Sequence, residues 1–177
     1  QPDTAVPQSG QVPLAVVSIN QQTDLLNVLA CFCALHRKPT LEQLGVLSEM
    51  KENGILSFIR KTASDWIGYD SRTNRVFWGE QDGSVLYLEQ HFPDLEKLSG
   101  QYVSLILNLF EAKPNGWEVA VLNLLKSMYQ TGRLRLLRRV LIELDKRKRA
   151  PETILGVVGP AGTGSAGPGG TAAPATA

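Results

Sequence analysis

Pro39 is the residue that most limits how this chain can fold. It separates a run of helical period, Leu25, Leu26, Leu29, Phe32 and Cys33, from the word Thr40-Leu41-Glu42-Gln43, which has the spacing of a capping box. Proline has no N–H to donate and pushes its predecessor out of the helical region, so one helix must stop before it and another starts on Thr40. Thr23 or Asp24 is the expected N-cap of the first helix. His36-Arg37-Lys38 are expected in its last turn, where cations answer the helix dipole. One long helix is thereby excluded, and two helices joined by a tight turn are predicted.

After Leu44 and Leu47, Asn53-Gly54 reads as a C-cap or turn, and Ile55, Phe58 and Ile59 with Arg60 and Lys61 predict a third helix to about Ala63. The period then changes. Trp66, Ile67, Tyr69, Val76, Phe77 and Trp78 flank a polar stretch from Asp70 to Asn74, and Val85 to Leu88 follows Gln81-Asp82-Gly83-Ser84, so two or three short strands are expected. Helical spacing returns in Leu95 to Phe110, in Trp117 to Tyr129 beyond Pro114-Asn115-Gly116, and in a last helix from Thr131 or Gly132 to about Lys148. Leu134, Leu137, Val140, Leu141 and Leu144 form the apolar stripe of that helix, which is expected to dock on the two before it.

The expected class is mainly α with a small β-ribbon. Residues 21–92 form a first unit, 93–150 a helical unit with a basic last helix, and 1–20 and 151–177 are tails. The first tail holds three prolines and one apolar patch, Val12 to Ile19, with room for a short strand. From Gly156 onward the chain is almost entirely Gly, Ala, Pro, Thr and Ser, too poor in apolar side chains to offset the entropy of ordering.

Three helices followed by a ribbon, over about Thr23 to Gln90, is the plan of a winged-helix domain. The words Lys38-Pro39-Thr40-Leu41-Glu42-Gln43-Leu44 and Gly54-Ile55-Leu56-Ser57-Phe58-Ile59, followed by Val76-Phe77-Trp78, resemble the LOTUS (OST-HTH) type of winged helix. The resemblance covers under 40% of the chain. It implies RNA binding, or recruitment of partner proteins in RNA regulation. Glu49 and Glu52, beside the third helix, weigh against phosphate contact there.

Electrostatic arguments rest on distribution, because the 177 residues carry 18 cations and 17 acids for a net charge of +1. From Arg133 to Arg149 there are eight cations against Glu143 and Asp145, so this segment is strongly positive while the chain before it is net acidic. Arg135, Arg138, Arg139, Lys146 and Arg147 are the candidate phosphate contacts, since guanidinium pairs bidentately with phosphate oxygens. Five such contacts would give a slope of log K on log salt of roughly −3.5 to −4.5. Arg60, Lys61 and Arg75 are secondary candidates, and Trp78 is a candidate for stacking on a base beside Arg75, against the favoured alternative that its ring packs on the helices as core. The alternatives for the basic helix are a solvated or protein-docking face, and a nuclear-localisation patch in Lys146-Arg147-Lys148-Arg149.

Other chemistries fare worse. Cys31 and Cys33 lie two apart in an apolar helix, too divergent to bridge, and read as buried free thiols; with His36 they would make metal ligands only in a loop. A thiol in an apolar stripe is a poor nucleophile, and Asp94 and Glu96 sit in a polar turn that does not separate their acidities. Gly159 to Ala166 resembles a phosphate-binding loop, but Ser165 stands where the lysine is required. No enzyme activity, cofactor or metal is expected. No apolar run approaches the roughly 18 residues of a membrane span, and Gln1 to Gln11 shows no secretory signal, so a cytoplasmic or nuclear protein that engages nucleic acid, RNA ahead of DNA, or a protein partner is expected, with no membrane contact.

Overall fold

A computed structural model describes residues 19–147; the patch before Ile19, the cations Lys148 and Arg149 and the glycine-rich segment with its loop-like word lie outside the described residues. Helix α1 runs Ile19–Cys33. It starts before the expected cap at Thr23 or Asp24. Its polar first turn is held from outside, because the Gln21 side-chain amide donates to the Glu49 carbonyl at 3.0 Å.

The other end of α1 closes on two bonds of 3.0 Å, Arg37 N–H to the Phe32 carbonyl and His36 N–H to the Cys33 carbonyl. These are the paired bonds of a Schellman turn, with His36 in the left-handed position at φ 60° that glycine usually fills. His36, Arg37 and Lys38 therefore stand in the exit turn beyond the helix, not in its last turn as the sequence suggests.

Helix α2 (Leu41–Ser48) has Thr40 as N-cap, with both halves of the capping box formed. It ends on Glu49, itself left-handed at φ 57°, and α3 (Glu52–Thr62) begins three residues later. Asn53 and Gly54 are thus in the first turn of α3, not between helices. First-turn N–H groups lack helical partners whatever residue carries them, so weak helix formers are tolerated there.

The ribbon has two antiparallel strands, β1 (Ile67–Asp70) and β2 (Arg75–Trp78), in a register that sets Gly68 opposite Phe77. Asp70 closes the turn by accepting from the Arg72 N–H and the Thr73 hydroxyl. Thr40 bridges to Arg75, and Val76 N–H donates to the Pro39 carbonyl at 3.0 Å, so the segment entering α2 adds a third edge to the ribbon. Val85 to Leu88, expected as a strand, belongs instead to α4 (Gln81–His91). A four-residue apolar run fits either period, and burial of Ser84 and Leu88 four apart selects the helix. Helices α5 (Leu95–Ala112), capped by Asp94, α6 (Trp117–Gln130) and α7 (134–147) complete the described chain, which is mainly helical with this one small sheet.

Two apolar cores result, and α1 serves both. Leu25, Leu29 and Cys33 pack with α2, α3 and the ribbon, whereas Ala30, Cys31 and Phe32 pack with α4, α5, α6 and α7. Tyr102, fully buried on α5, donates its hydroxyl to the Cys31 carbonyl at 2.8 Å. That bond matters because Leu35 N–H, four residues on, turns to the Phe32 carbonyl instead. Replacing Tyr102 with Phe leaves the carbonyl dry and unpaired and is expected to cost about 1–2 kcal/mol. Urea unfolding of the two proteins measures the difference, and equal midpoints would contradict the assignment.

Candidate nucleic-acid interface

Along α7, at about 100° per residue, Arg135, Arg139 and Lys146 fall within about 40° of one another, with Arg138 about 60° to one side. Leu136 and Val140, about 80–120° round from Lys146, are buried in the larger core, and Leu137 and Leu144, nearly opposite the cations, pack against it, which orients the helix; Arg147 falls between Leu136 and Val140 on the wheel. All five predicted contacts on this helix, Arg135, Arg138, Arg139, Lys146 and Arg147, are exposed. Lys146 is partly neutralised by Glu143 at 3.1 Å. The apolar stripe is less hidden than the sequence implies. Leu134 and Leu141 remain 55% and 47% exposed on the flank, and Ile142, 44% exposed, interrupts the cations.

The secondary candidates do not join this face. Arg60 and Lys61 are exposed in the last turn of α3, where they answer the dipole, and α3 belongs to the other core. Arg75, at the start of β2, donates to the Lys38 carbonyl. It thereby lies with Arg37 and Lys38, which sequence reading placed in the final turn of a helix and left out of the site.

Trp78 is half-buried in an aromatic chain. Its ring centroid lies 5.0 Å from Trp66 and 5.3 Å from Tyr87, and Tyr87 stacks on His91 at 4.0 Å. The Trp78 backbone N–H donates to the Cys33 thiol, and the Tyr87 hydroxyl donates to the Asn27 side chain at 2.7 Å. Phe77, its strand neighbour, lies on the face of Gly68: a β-carbon there would come within 2.4 Å of the ring. The Lys38 ammonium covers Phe77 at 4.7 Å from its centroid. Phe77 and Trp78 with Cys33, His36, Arg37 and Lys38 line a small cleft of about 250 Å³.

A larger cleft, about 460 Å³, opens between the exit turn of α1, the start of α2, β2 and α6. Arg37, Lys38 and Arg75 line it together with His36, Thr40, Gln43, Asn115 and Asn123, and no carboxylate is part of its lining. Two contacts hold its walls together. The Arg37 Nε donates to the Ser127 hydroxyl at 2.7 Å, and the Gln43 amide donates to the Asn115 carbonyl at 3.1 Å. Glu42 stands just outside and accepts from both the backbone N–H and the side-chain amide of Asn115.

No protein-family model, curated protein or solved structure matches the chain.

Cys31 and Cys33 are both buried with free thiols. Desolvation pushes Cys31 up to about 12 and Cys33 up to about 11 from the ordinary 9.0; the neighbouring Tyr102 hydroxyl at Cys31 and the Trp78 N–H at Cys33 oppose the shift only in part. Unfolded thiols ionise near 9.0 while the native ones stay neutral, so the stability present below that pH drains away as pH climbs toward about 11 and then about 12. Tyr102, raised by burial, adds to the same trend. Urea midpoints are therefore expected to fall between pH 8 and 10.5, with a shallower fall in a Cys31→Ala, Cys33→Ala variant. An equal slope in that variant would show that the thiols do not carry the effect.

Proposed function

We propose that the chain is a nucleic-acid-binding or RNA-regulatory adaptor module, RNA ahead of DNA, that lays the outer face of α7 along a phosphate backbone. The observation carrying this reading is that Arg135, Arg138 and Arg139 are exposed on one side of a helix whose other side is anchored in a core, with no ion pair to any described carboxylate. Unpaired guanidinium groups keep their full charge for a polyanion, and each phosphate contact releases condensed counterions. The order of three helices and a ribbon, extended by the Thr40 to Arg75 bridge, supports a winged-helix reading of the first unit.

A second reading, a protein-interaction scaffold, is favoured by one feature. Val119, Leu122 and Tyr129 on one side of α6 are 60%, 66% and 67% exposed, an uncommon apolar exposure for residues of that size on a single helix.

Arg135→Glu, Arg138→Glu and Arg139→Glu together are expected to weaken binding of single-stranded RNA more than tenfold at about 0.1 M salt and to flatten the salt slope by roughly 2 to 3. Fluorescence anisotropy over a salt series reads both. Unchanged affinity in the triple variant rejects α7 as the interface, whereas no binding by the parent chain favours the scaffold.

A further inference from the structure

We propose that the cleft of about 460 Å³ between the α1 exit turn, β2 and α6 is a binding site for a phosphate monoester carrying an organic group of nucleotide size. Nothing in this inference depends on α7, because its residues stand on other elements.

Three cations converge there from two separate segments. Arg37 and Lys38 are thrown outward by the Schellman turn, and Arg75 reaches them because β2 pairs with the strand-like segment around Thr40. Both guanidinium groups are held by uncharged acceptors: Arg37 by the Ser127 hydroxyl, and Arg75 by the Lys38 carbonyl. Hydrogen bonds to neutral oxygens fix orientation without cancelling charge. Each guanidinium has five N–H donors, so most remain for a ligand. No described carboxylate pairs with Arg37, Lys38 or Arg75. Glu42, held by Asn115, and Asp70, held by the Arg72 N–H and the Thr73 hydroxyl, keep their charge but are turned to those donors and are not part of the cleft lining. A dianionic phosphate matches this unspent charge.

The rest of the cleft specifies more than an ion. Its volume lies in the range of small-molecule sites, well above what a bare phosphate needs. Phe32, Val119 and Ala120 supply an apolar side, and the Asn123 amide with the side-chain oxygen of Asn115 can read the edge of a polar ring, while Gln43 is held in the wall by Thr40 and Asn115. A phosphate at the Arg37, Lys38 and Arg75 end leaves space for a sugar and base against α6. The backbone is built for the purpose at some expense. His36 holds a left-handed φ of 60° where glycine would be unstrained, so that three consecutive basic residues spread around the cleft mouth.

The same chemistry comes from a free nucleoside monophosphate or from the 5′-phosphorylated end of a strand. The full chain is titrated with adenosine and uridine monophosphates, the parent nucleosides, inorganic phosphate, and a short single-stranded oligonucleotide with and without a 5′ phosphate. Calorimetry gives affinity, and amide NMR follows Gln43, Asn115 and Asn123. The proposal expects the monophosphates, or the 5′-phosphorylated oligonucleotide, to bind at least tenfold tighter than the matching form without phosphate, with shifts at those amides. Lys38→Gln with Arg75→Gln should lower that affinity at least tenfold, and Lys38→Gln alone, which keeps the Lys38 carbonyl's bond to Arg75, should lower it severalfold. The Arg135, Arg138, Arg139 triple variant should not change it when the monophosphate is the probe. Preference confined to the oligonucleotide identifies a strand end as the ligand, and preference confined to the monophosphates identifies a free nucleotide. Equal binding of forms with and without phosphate, no response at millimolar monophosphate and micromolar oligonucleotide, or affinity unchanged by Lys38→Gln with Arg75→Gln overturns it. Loss of oligonucleotide binding in the α7 variant with the cleft intact would separate the two surfaces.

Discussion

The burial of α1 on two sides is the constraint from which the rest of the molecule follows. A helix normally turns one apolar stripe to a core and another face to water. Here Leu25, Leu29 and Cys33 face the α2, α3 and ribbon core, while Ala30, Cys31 and Phe32 face the core of α4 to α7. The C-terminal end of the helix is consequently apolar on both sides, with Cys31 enclosed and Cys33 buried but for its edge on the small cleft. Trp78 and Val28 touch both cores, so disturbing one is felt in the other. The end of α1 must then be met by the protein and not by solvent. The Tyr102 hydroxyl satisfies Cys31, the Schellman bonds satisfy Phe32 and Cys33, and the thiol of Cys33 takes the Trp78 N–H.

Local punctuation was readable wherever one residue type has one physical use. Thr40 with Gln43 three later built the capping box, and the Asp70 to Asn74 word closed a hairpin with strands on either side. The errors fall where a residue serves two conformations equally well. Val85 to Leu88 is too short to reveal a period, and its helix is chosen by the tertiary burial of Ser84 and Leu88, four apart. Asn53-Gly54 is a turn signal that the first turn of a helix also accepts, while the left-handed residue that ends α2 is Glu49, which carries no such signal. His36 follows the same pattern: a non-glycine residue holds the left-handed position, and the three basic residues after α1 move from a helix end to the mouth of a cleft.

Of the candidate site, the helix and its exposed cations were legible because a basic, leucine-striped helix needs only its own periodicity to say which way it faces. Arg37 and Lys38 were not, because their role depends on Arg75, about forty positions on, being brought alongside by pairing of β2 with Thr40. Period and capping describe neighbours in sequence and are silent on such a meeting. Trp78 lies between these cases. Strand alternation placed it on one face of β2, but only the fold sets Trp66 and Tyr87 against its ring.

The two positive surfaces differ in how their charge is held, and that difference sets what each can recognise. On α7 the arginines are long, exposed and without fixed partners, so a ligand must order them itself, and their attraction is spread along a helix and screened within about 10 Å at ordinary salt. Such a face suits a backbone of repeated phosphates in which any register will do. In the cleft Arg37 and Arg75 are already oriented by neutral oxygens, Lys38 rests on the Phe77 ring, and walls of amide and apolar side chains limit what fits between them. Preorganised charge in a shaped, carboxylate-free space selects one group over its neighbours. The exit turn between Cys33 and Thr40 supplies that arrangement, because its Schellman bonds end the helix and the Pro39 carbonyl, taking the Val76 N–H, delivers the chain to β2 in register.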